Sequence, residues 1–447
     1  MRIIADMNRI EDLRQTLRLA GPIAASQVSD MLTLTADAVM VGALGSEALA
    51  AVTLAGSSTT PVMLFAVGFT VAMSAPAAAA WELRRTGRVI DVFRTGRRIA
   101  LWITFGLVVL LLAASPFLHV LGSPQRVTDL AMPYLRWYVA SFFFRIWFGT
   151  YKQTIEAMGN TRLPMIIALT ANVANVLMNA VFIYGWGGIP AMGVEGAGIA
   201  TFLSRVMSVA LIAVAWKRMS LCAEISSAPK ESDPELRRSL ITSGASIGSQ
   251  ITIEVLAFAG GAIMMGWLGA TALAAHQVAI NLASITFMVA LAIGTAATYR
   301  MAAAQASADP DRMRMVGTSA LGLIIGFEIL TATIFVALRH VMPTWYISDP
   351  QVVTMASQLL ILAAAFQIFD GVQAVGLGIL RGLHDTVVPT RIVMVSYLVV
   401  ALPASYLLGF HTPLGPTGIW LGYVAGLIFS STGFVLRFIA VTKRPSA

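Results

Sequence analysis

The sequence predicts an all-α integral membrane protein with twelve transmembrane helices in two pseudo-twofold-related six-helix lobes. Three observations carry that expectation. Of 447 residues, 57% are hydrophobic and 12% are charged, against about 45–50% and about 25% in ordinary soluble domains. Apolar stretches of about 20 residues, the length that crosses about 30 Å of hydrocarbon, recur from one end to the other. Segments from the first half return in the second at a nearly constant offset.

Apolar runs between charged breaks place helices near 15–40, 48–80, 93–121, 129–157, 163–185 and 195–217, and again near 238–267, 272–303, 315–340, 352–380, 388–409 and 417–440. The first follows the charged, amphipathic MRIIADMNRIEDLRQTLR, which has no short apolar core with a small-residue cleavage site and is expected to be retained. Pro22 is a candidate kink within this helix. Charged breaks around 82–98, 152–162, 300–314 and 381–391 separate later runs. The one sizeable polar insert, KRMSLCAEISSAPKESDPELRRS, falls midway. The expected organisation is therefore an N-lobe over 1–220, a cytoplasmic linker over 221–236 and a C-lobe over 237–447. The single cysteine, Cys222, lies in that insert, so neither an internal disulfide nor a thiolate metal cluster is available.

An even number of crossings puts both termini on one side, and Lys and Arg mark which side is cytoplasmic. The N-terminus, the breaks above, the central insert and the C-terminal tail hold 25 of the 30 basic residues. The opposite loops hold Arg126 and Arg339. Both termini are thus expected on the cytoplasmic face of a bacterial-type inner membrane. The net charge of +8 reads mostly as an orientation signal, with no nucleic-acid partner.

VMVGALGSEALAA (39–51) aligns without gaps with IMMGWLGATALAA (263–275), more than half the positions being identical. EAMGNTRLP (156–164) aligns with RGLHDTVVP (381–389), sharing Thr and Pro. The offsets are 224 and 225 residues. Six crossings separate the copies, so the repeats are parallel and related by an axis along the membrane normal.

Long motifs now become recognisable: ADAVMVGALGSEALAAV, AAHQVAINLASITFMVALAIGTAATYR and FDGVQAVGLGILRGLHDTVVPT, joined by LTANVANVLMNAVFIYGWGGIP and EGAGIAT. With them the chain resembles the multidrug and toxic compound extrusion (MATE) family, in its NorM-like branch, over almost its whole length. The resemblance implies a secondary active exporter of small organic, often cationic compounds. Such proteins work by alternating access against an inward flow of Na+ or H+, with no other cofactor.

Ionisable groups in hydrocarbon are costly, so each is a functional candidate, with an internal ion pair or a water-lined cavity as the alternative. Asp30, Asp37, Arg145, Arg205, Glu254 and Asp370 lie inside spans, and Glu328 is a seventh candidate. By resemblance Asp37 is the N-lobe acid, and Thr201 completes its set. Asn175 and Asn179 are four residues apart on one helical face, with Asn172 on the same stripe. Carboxylate, amide and hydroxyl oxygens suit a hard cation, and a carboxylate in apolar surroundings can instead carry a proton. Interhelical hydrogen bonding is the plainer role for the amides. Glu254 and Asp370 match the C-lobe acids of NorM-like members. Bound Na+ is therefore a candidate at Glu254, Asp370 or Asp37. Phe366, one turn before Asp370, stands where Na+-coupled relatives are expected to carry tyrosine.

The repeat offsets relate Glu254 to Asp30 and Asp370 to Arg145, which predicts a structural ion pair between Asp30 and Arg145 in the N-lobe. Arg205 is expected to pair with Glu195 or to snorkel. Phe366, Gln277, Asn281 and Asn172 are candidates for lining the cavity, helix packing being the alternative for Gln277 and Asn281. The 22 Met residues suit membrane packing or a permissive pocket.

No G-x-x-x-x-G-K-[ST] loop, H-E-x-x-H helix, paired-Cys motif or nucleophile elbow occurs. An enzyme is not expected, and energy is expected from an ion gradient. The rival reading is a flippase-like exporter of a lipid-linked or other precursor, which requires a cavity lined with basic groups. The protein is expected to act as a monomer within membrane lipid.

Overall fold

The computed structural model describes residues 2–121, 124–219 and 233–443. Most of the expected linker, residues 221–232, lies outside them, and so does Cys222. Twelve long helical segments follow one another: α1 (Arg2–Gly42), α2 (Ser46–Glu82), α3 (Thr86–His119), α4 (Gln125–Ala157), α5 (Arg162–Tyr184), α6 (Gly193–Lys217), α7 (Pro234–Trp267), α8 (Ala270–Ala306), α9 (Pro310–Ala337), α10 (Pro350–Gly382), α11 (Val387–Phe410) and α12 (Pro416–Lys443). No strand occurs among the described residues. Ten of the twelve are long and apolar enough to cross a membrane by length and composition. The other two, α1 and α4, are interrupted by Asp30 and Asp37 and by Arg136 and Arg145. The expected boundaries fall within about five residues of these, except that α1 begins at Arg2 instead of near 15 and α3 at Thr86 instead of near 93, the charged leader being helical in both.

Helix starts follow from local chemistry. Asp309 and Asp349 each precede a proline, and their carboxylates accept from Asp311 and Arg312 N–H (3.1 and 3.0 Å) and from Gln351 N–H (2.8 Å). Asp233 does the same for α7, accepting from Glu235 and Leu236 N–H at 2.9 and 3.0 Å. Inside α11, residues Val395–Ala401 form a π-helical turn. Pro403 has no N–H for the Val399 carbonyl, and the widened turn accommodates that loss.

The chain forms two compact units, Ala25–Gly248, and Met1–Ala24 with Ser249–Ala447. Residues 1–24 thus cluster with the second unit and 237–248 with the first, whereas the sequence lobes divide near 220–237. In the first unit α4 packs against α2, α3 and α6; in the second, α10 packs against α8, α9 and α12. The hub helix of each unit is therefore the same member of the repeat. Backbones close in where side chains are small: a Cβ on Gly378 of α10 would lie 2.1 Å from the Gly294 carbonyl oxygen of α8. Thr298 on α8 donates its hydroxyl to the Gly378 carbonyl at 2.9 Å.

The repeat reaches backbone torsions. Gly45 (φ 121°) and Gly269 (φ 119°) open α2 and α8, 224 residues apart. Arg84 (φ 58°) and Ala308 (φ 51°) repeat at 224, and Gly159 (φ 88°) and His384 (φ 57°) at 225. A left-handed torsion costs a non-glycine residue about 1 kcal/mol, so its retention at Arg84, Ala308 and His384 marks turns that the repeated fold imposes.

Candidate cation-coupling sites

In the unit Ala25–Gly248, α1 and α5 meet along a polar face. The Asn179 amide donates to Asp37 Oδ1 and to Asn175 Oδ1, the latter at 3.3 Å. Asn175 in turn donates to the Ser204 hydroxyl of α6 at 3.4 Å. Ser204 donates to the Thr201 carbonyl at 2.9 Å, and the Thr201 hydroxyl bonds back to Ala197 O at 2.9 Å. Asn179 is fully buried and its Oδ1 has no partner. Asp37, Asn179, Asn175 and Ser204 thus form one hydrogen-bonded chain, which Thr201 meets only through its backbone carbonyl. Asn172 lies one turn away and donates to Ser29 Oγ (2.8 Å) and Asp30 Oδ1 (2.9 Å).

Two expectations for this unit are corrected. No ion pair joins Asp30 and Arg145: Asp30 faces α5 and is satisfied by Asn172, while Arg145 is exposed on α4. The repeat preserves the backbone, but position 145 does not inherit the inward direction of Asp370. Arg205 neither pairs with Glu195 nor snorkels. Its guanidinium donates to Ser141 Oγ at 2.5 Å and lies over the rings of Tyr138 and Phe142, at 5.3 and 4.7 Å. Glu195 accepts from Trp137 Nε1 at 3.2 Å. Cation–π contacts away from water contribute about 2 kcal/mol, which stabilises Arg205 without a direct ion pair.

In the unit Met1–Ala24 with Ser249–Ala447, the α11 π turn carries Tyr397 inward. Its hydroxyl donates to Glu254 Oε1 at 3.2 Å, and Gln373 of α10 donates to the same oxygen at 3.2 Å. Ser430 of α12 donates to Gln373 Oε1 and holds that amide in orientation. Asp370 is 5% exposed, and its Oδ1 has no hydrogen-bond partner. Gln367, Asp370 and Gln373 recur every three residues on the buried face of α10. Gln367 accepts from Thr286 of α8 at 3.1 Å and leaves its Nε2 unpartnered. Glu328, 1% exposed on α9, accepts from Thr331 Oγ1 at 2.9 Å.

Phe366 is corrected from cavity lining to core packing. It is 2% exposed and meets Phe258 and Trp420 edge-on at 5.9 and 5.4 Å. Gln277 and Asn281 are exposed on α8, while neighbouring His276 is buried against the Trp420 ring at 5.7 Å.

Sequence reasoning missed Gln367, Gln373, Tyr397 and Ser204. The three-residue spacing in QIFDGVQ was a readable signal for the two glutamines. Tyr397 had none, since its direction depends on the π turn.

Among the described residues no group of three or more His, Cys, Asp and Glu is placed to hold a metal ion. Amide and hydroxyl groups instead meet Asp37, Glu254 and Glu328, while Asp370 keeps an oxygen unpartnered. That donor set fits a single weakly held hard cation or a proton, and not a transition metal.

A family model described as MatE matches residues 22–181 and 246–407. A probable multidrug resistance protein NorM of Mesorhizobium japonicum is 31% identical over 446 residues, covering 96% of this chain and 94% of the relative. The multidrug resistance protein MdtK of Yersinia pseudotuberculosis is 30% identical over 455 residues, covering 98% and 97%. Two solved structures share the fold. A MATE protein in the straight conformation gives a TM-score of 0.88 at 18% identity, covering 97% of both chains. The eukaryotic MATE transporter AtDTX14 gives 0.85 at 19% identity, covering 96% of both.

Proposed function

This chain belongs to the MatE family, and from that premise we infer that it is a secondary active multidrug exporter of the inner membrane. It moves small organic, mostly cationic compounds outward by alternating access, in exchange for inward Na+ or H+. Both termini face the cytoplasm, and the protein works as a monomer without a resident cofactor.

The observation that supports this reading most is the acid held inside the helices of each unit, Asp37 half-buried and Asp370 buried. Asp37 rests on an amide face, and Asp370 leaves an oxygen unpartnered. An ionised carboxylate sealed in apolar surroundings costs several kcal/mol unless compensated. A mobile cation supplies that compensation, and its exchange gives the acid two states. Substrate cations can compete for the same charge, which links the two fluxes.

The rival export of an anionic precursor calls for basic lining, whereas Arg205 is held by Ser141 and two aromatic rings. Curated relatives named for multidrug resistance favour the drug-export reading. Proteoliposomes that accumulate a fluorescent organic cation under an imposed Na+ or pH gradient support it. Accumulation that ignores both gradients overturns it.

A further inference from the structure

We propose that Glu328 of α9 is a further cation-binding residue, acting with Asp370 in holding the coupling cation. The proposal rests on the coupled-export reading and assigns the site within it.

The placement starts from a missing side chain. A Cβ on Gly371 would lie 2.8 Å from Glu328 Cγ and 3.0 Å from Glu328 Oε1. The absent Cβ leaves room for the Glu328 carboxyl to seat against the α10 backbone at the residue that follows Asp370. Asp370 feels the charge of two carboxyls, Glu254 and then Glu328.

Their hydrogen bonding is incomplete in complementary ways. Asp370 Oδ1 has no partner, and Glu328 receives only the Thr331 hydroxyl, at 2.9 Å. Glu254 differs, because Gln373 and Tyr397 both donate to it. Two neighbouring carboxyls with one donor between them, both more than nine-tenths buried, cannot both stay ionised cheaply. A shared proton or Na+ satisfies both, with the Thr331 hydroxyl in reach as an additional oxygen.

Glu254 also acts on Asp370, but its carboxyl already accepts two hydrogen bonds. The groups that could supply a proton or a positive charge are engaged elsewhere. Tyr397 serves Glu254. Arg381 donates to Gln250 at 3.1 Å, and Arg300 is held by Asp12, Thr16 and Gln15. His276 lies against Trp420. None of them supplies a permanent counter-charge to Glu328.

The test uses the full-length protein in detergent with tetraphenylphosphonium as the probe. In the wild type, probe binding is expected to release protons to a pH-indicator dye in Na+-free, weakly buffered solution, or to be weakened by added Na+. The first result assigns the cation as H+ and the second as Na+. Glu328→Gln is expected to bind the probe yet lose about half of the released protons, or to require about tenfold more Na+ for half-competition. Glu328→Asp should restore part of the response. Thr331→Val, which alters no carboxyl, should shift it by about twofold to fivefold. Unchanged cation release in both Glu328→Gln and Thr331→Val overturns this assignment alone. No cation response in the wild type overturns the coupled-export reading and this assignment with it.

Discussion

Asn179 donates its side-chain amide to Asp37, and the same nitrogen reaches Asn175 one turn away on α5. One amide therefore couples the acid of α1 to the polar face of α5 and, through Asn175 and Ser204, to α6. A hydrogen bond to a charged group contributes about 1.5–3 kcal/mol. Asn179→Ala is expected to lower gradient-driven export about tenfold or more while the variant still elutes as a folded monomer. Wild-type export by Asn179→Ala would show that Asp37 does not depend on this bond.

Tyr397→Phe removes one of two donors to Glu254 and keeps the ring, which meets Phe258 at 6.0 Å. Export should fall several-fold with thermal stability within about 1 kcal/mol of wild type, since Gln373 still donates. A Tyr397→Phe variant that unfolds in mild detergent would mark the tyrosine as structural.

Gly378→Val tests the α8–α10 contact. Its Cβ would lie 2.1 Å from the Gly294 carbonyl oxygen, which is backbone and cannot swing aside. A loss of about 3 kcal/mol or more follows from overpacking at such a point. Size-exclusion chromatography and thermal unfolding should show aggregation or a much lower midpoint. A well-folded, active variant would contradict the packing described.

Outside the spans, Asp233 accepts from Leu236 N–H and pairs with Arg88 at 2.5 Å, which together hold its carboxyl below the usual carboxylate range. The folded-state value is lowered, so its contribution is present above the unfolded value of about 4 and is lost as pH falls through the folded value. Asp233→Asn should therefore lower the unfolding midpoint at pH 7, and the gap from wild type should close below about pH 4. A gap independent of pH would assign the effect to the cap geometry alone.

Most of the crossings were legible because a span is a long, nearly local signal, and the repeat because 39–51 and 263–275 share so many residues. Asp37 with Asn175 and Asn179 was legible for a similar reason: spacing of four residues defines a helical face. What escaped depends on rotation or approach of another helix. Asp30 turns to Asn172 instead of Arg145, and no spacing on α1 reveals that. Glu328 gains its position from Gly371 on a different helix, and Tyr397 from a π turn that answers to Pro403. Phe366 belongs to the core because Phe258 and Trp420 close on it, a contact set by three separate helices.

The most direct test of coupling runs the exchange in reverse. Proteoliposomes are loaded with an organic cation and diluted into substrate-free medium, and Na+ and H+ movements are followed without an imposed ion gradient. Wild-type protein should drive one of the two ions against the direction of substrate flow, and Asp370→Asn should abolish that ion movement. Substrate efflux through wild-type protein with no counter-movement of either ion would contradict the account.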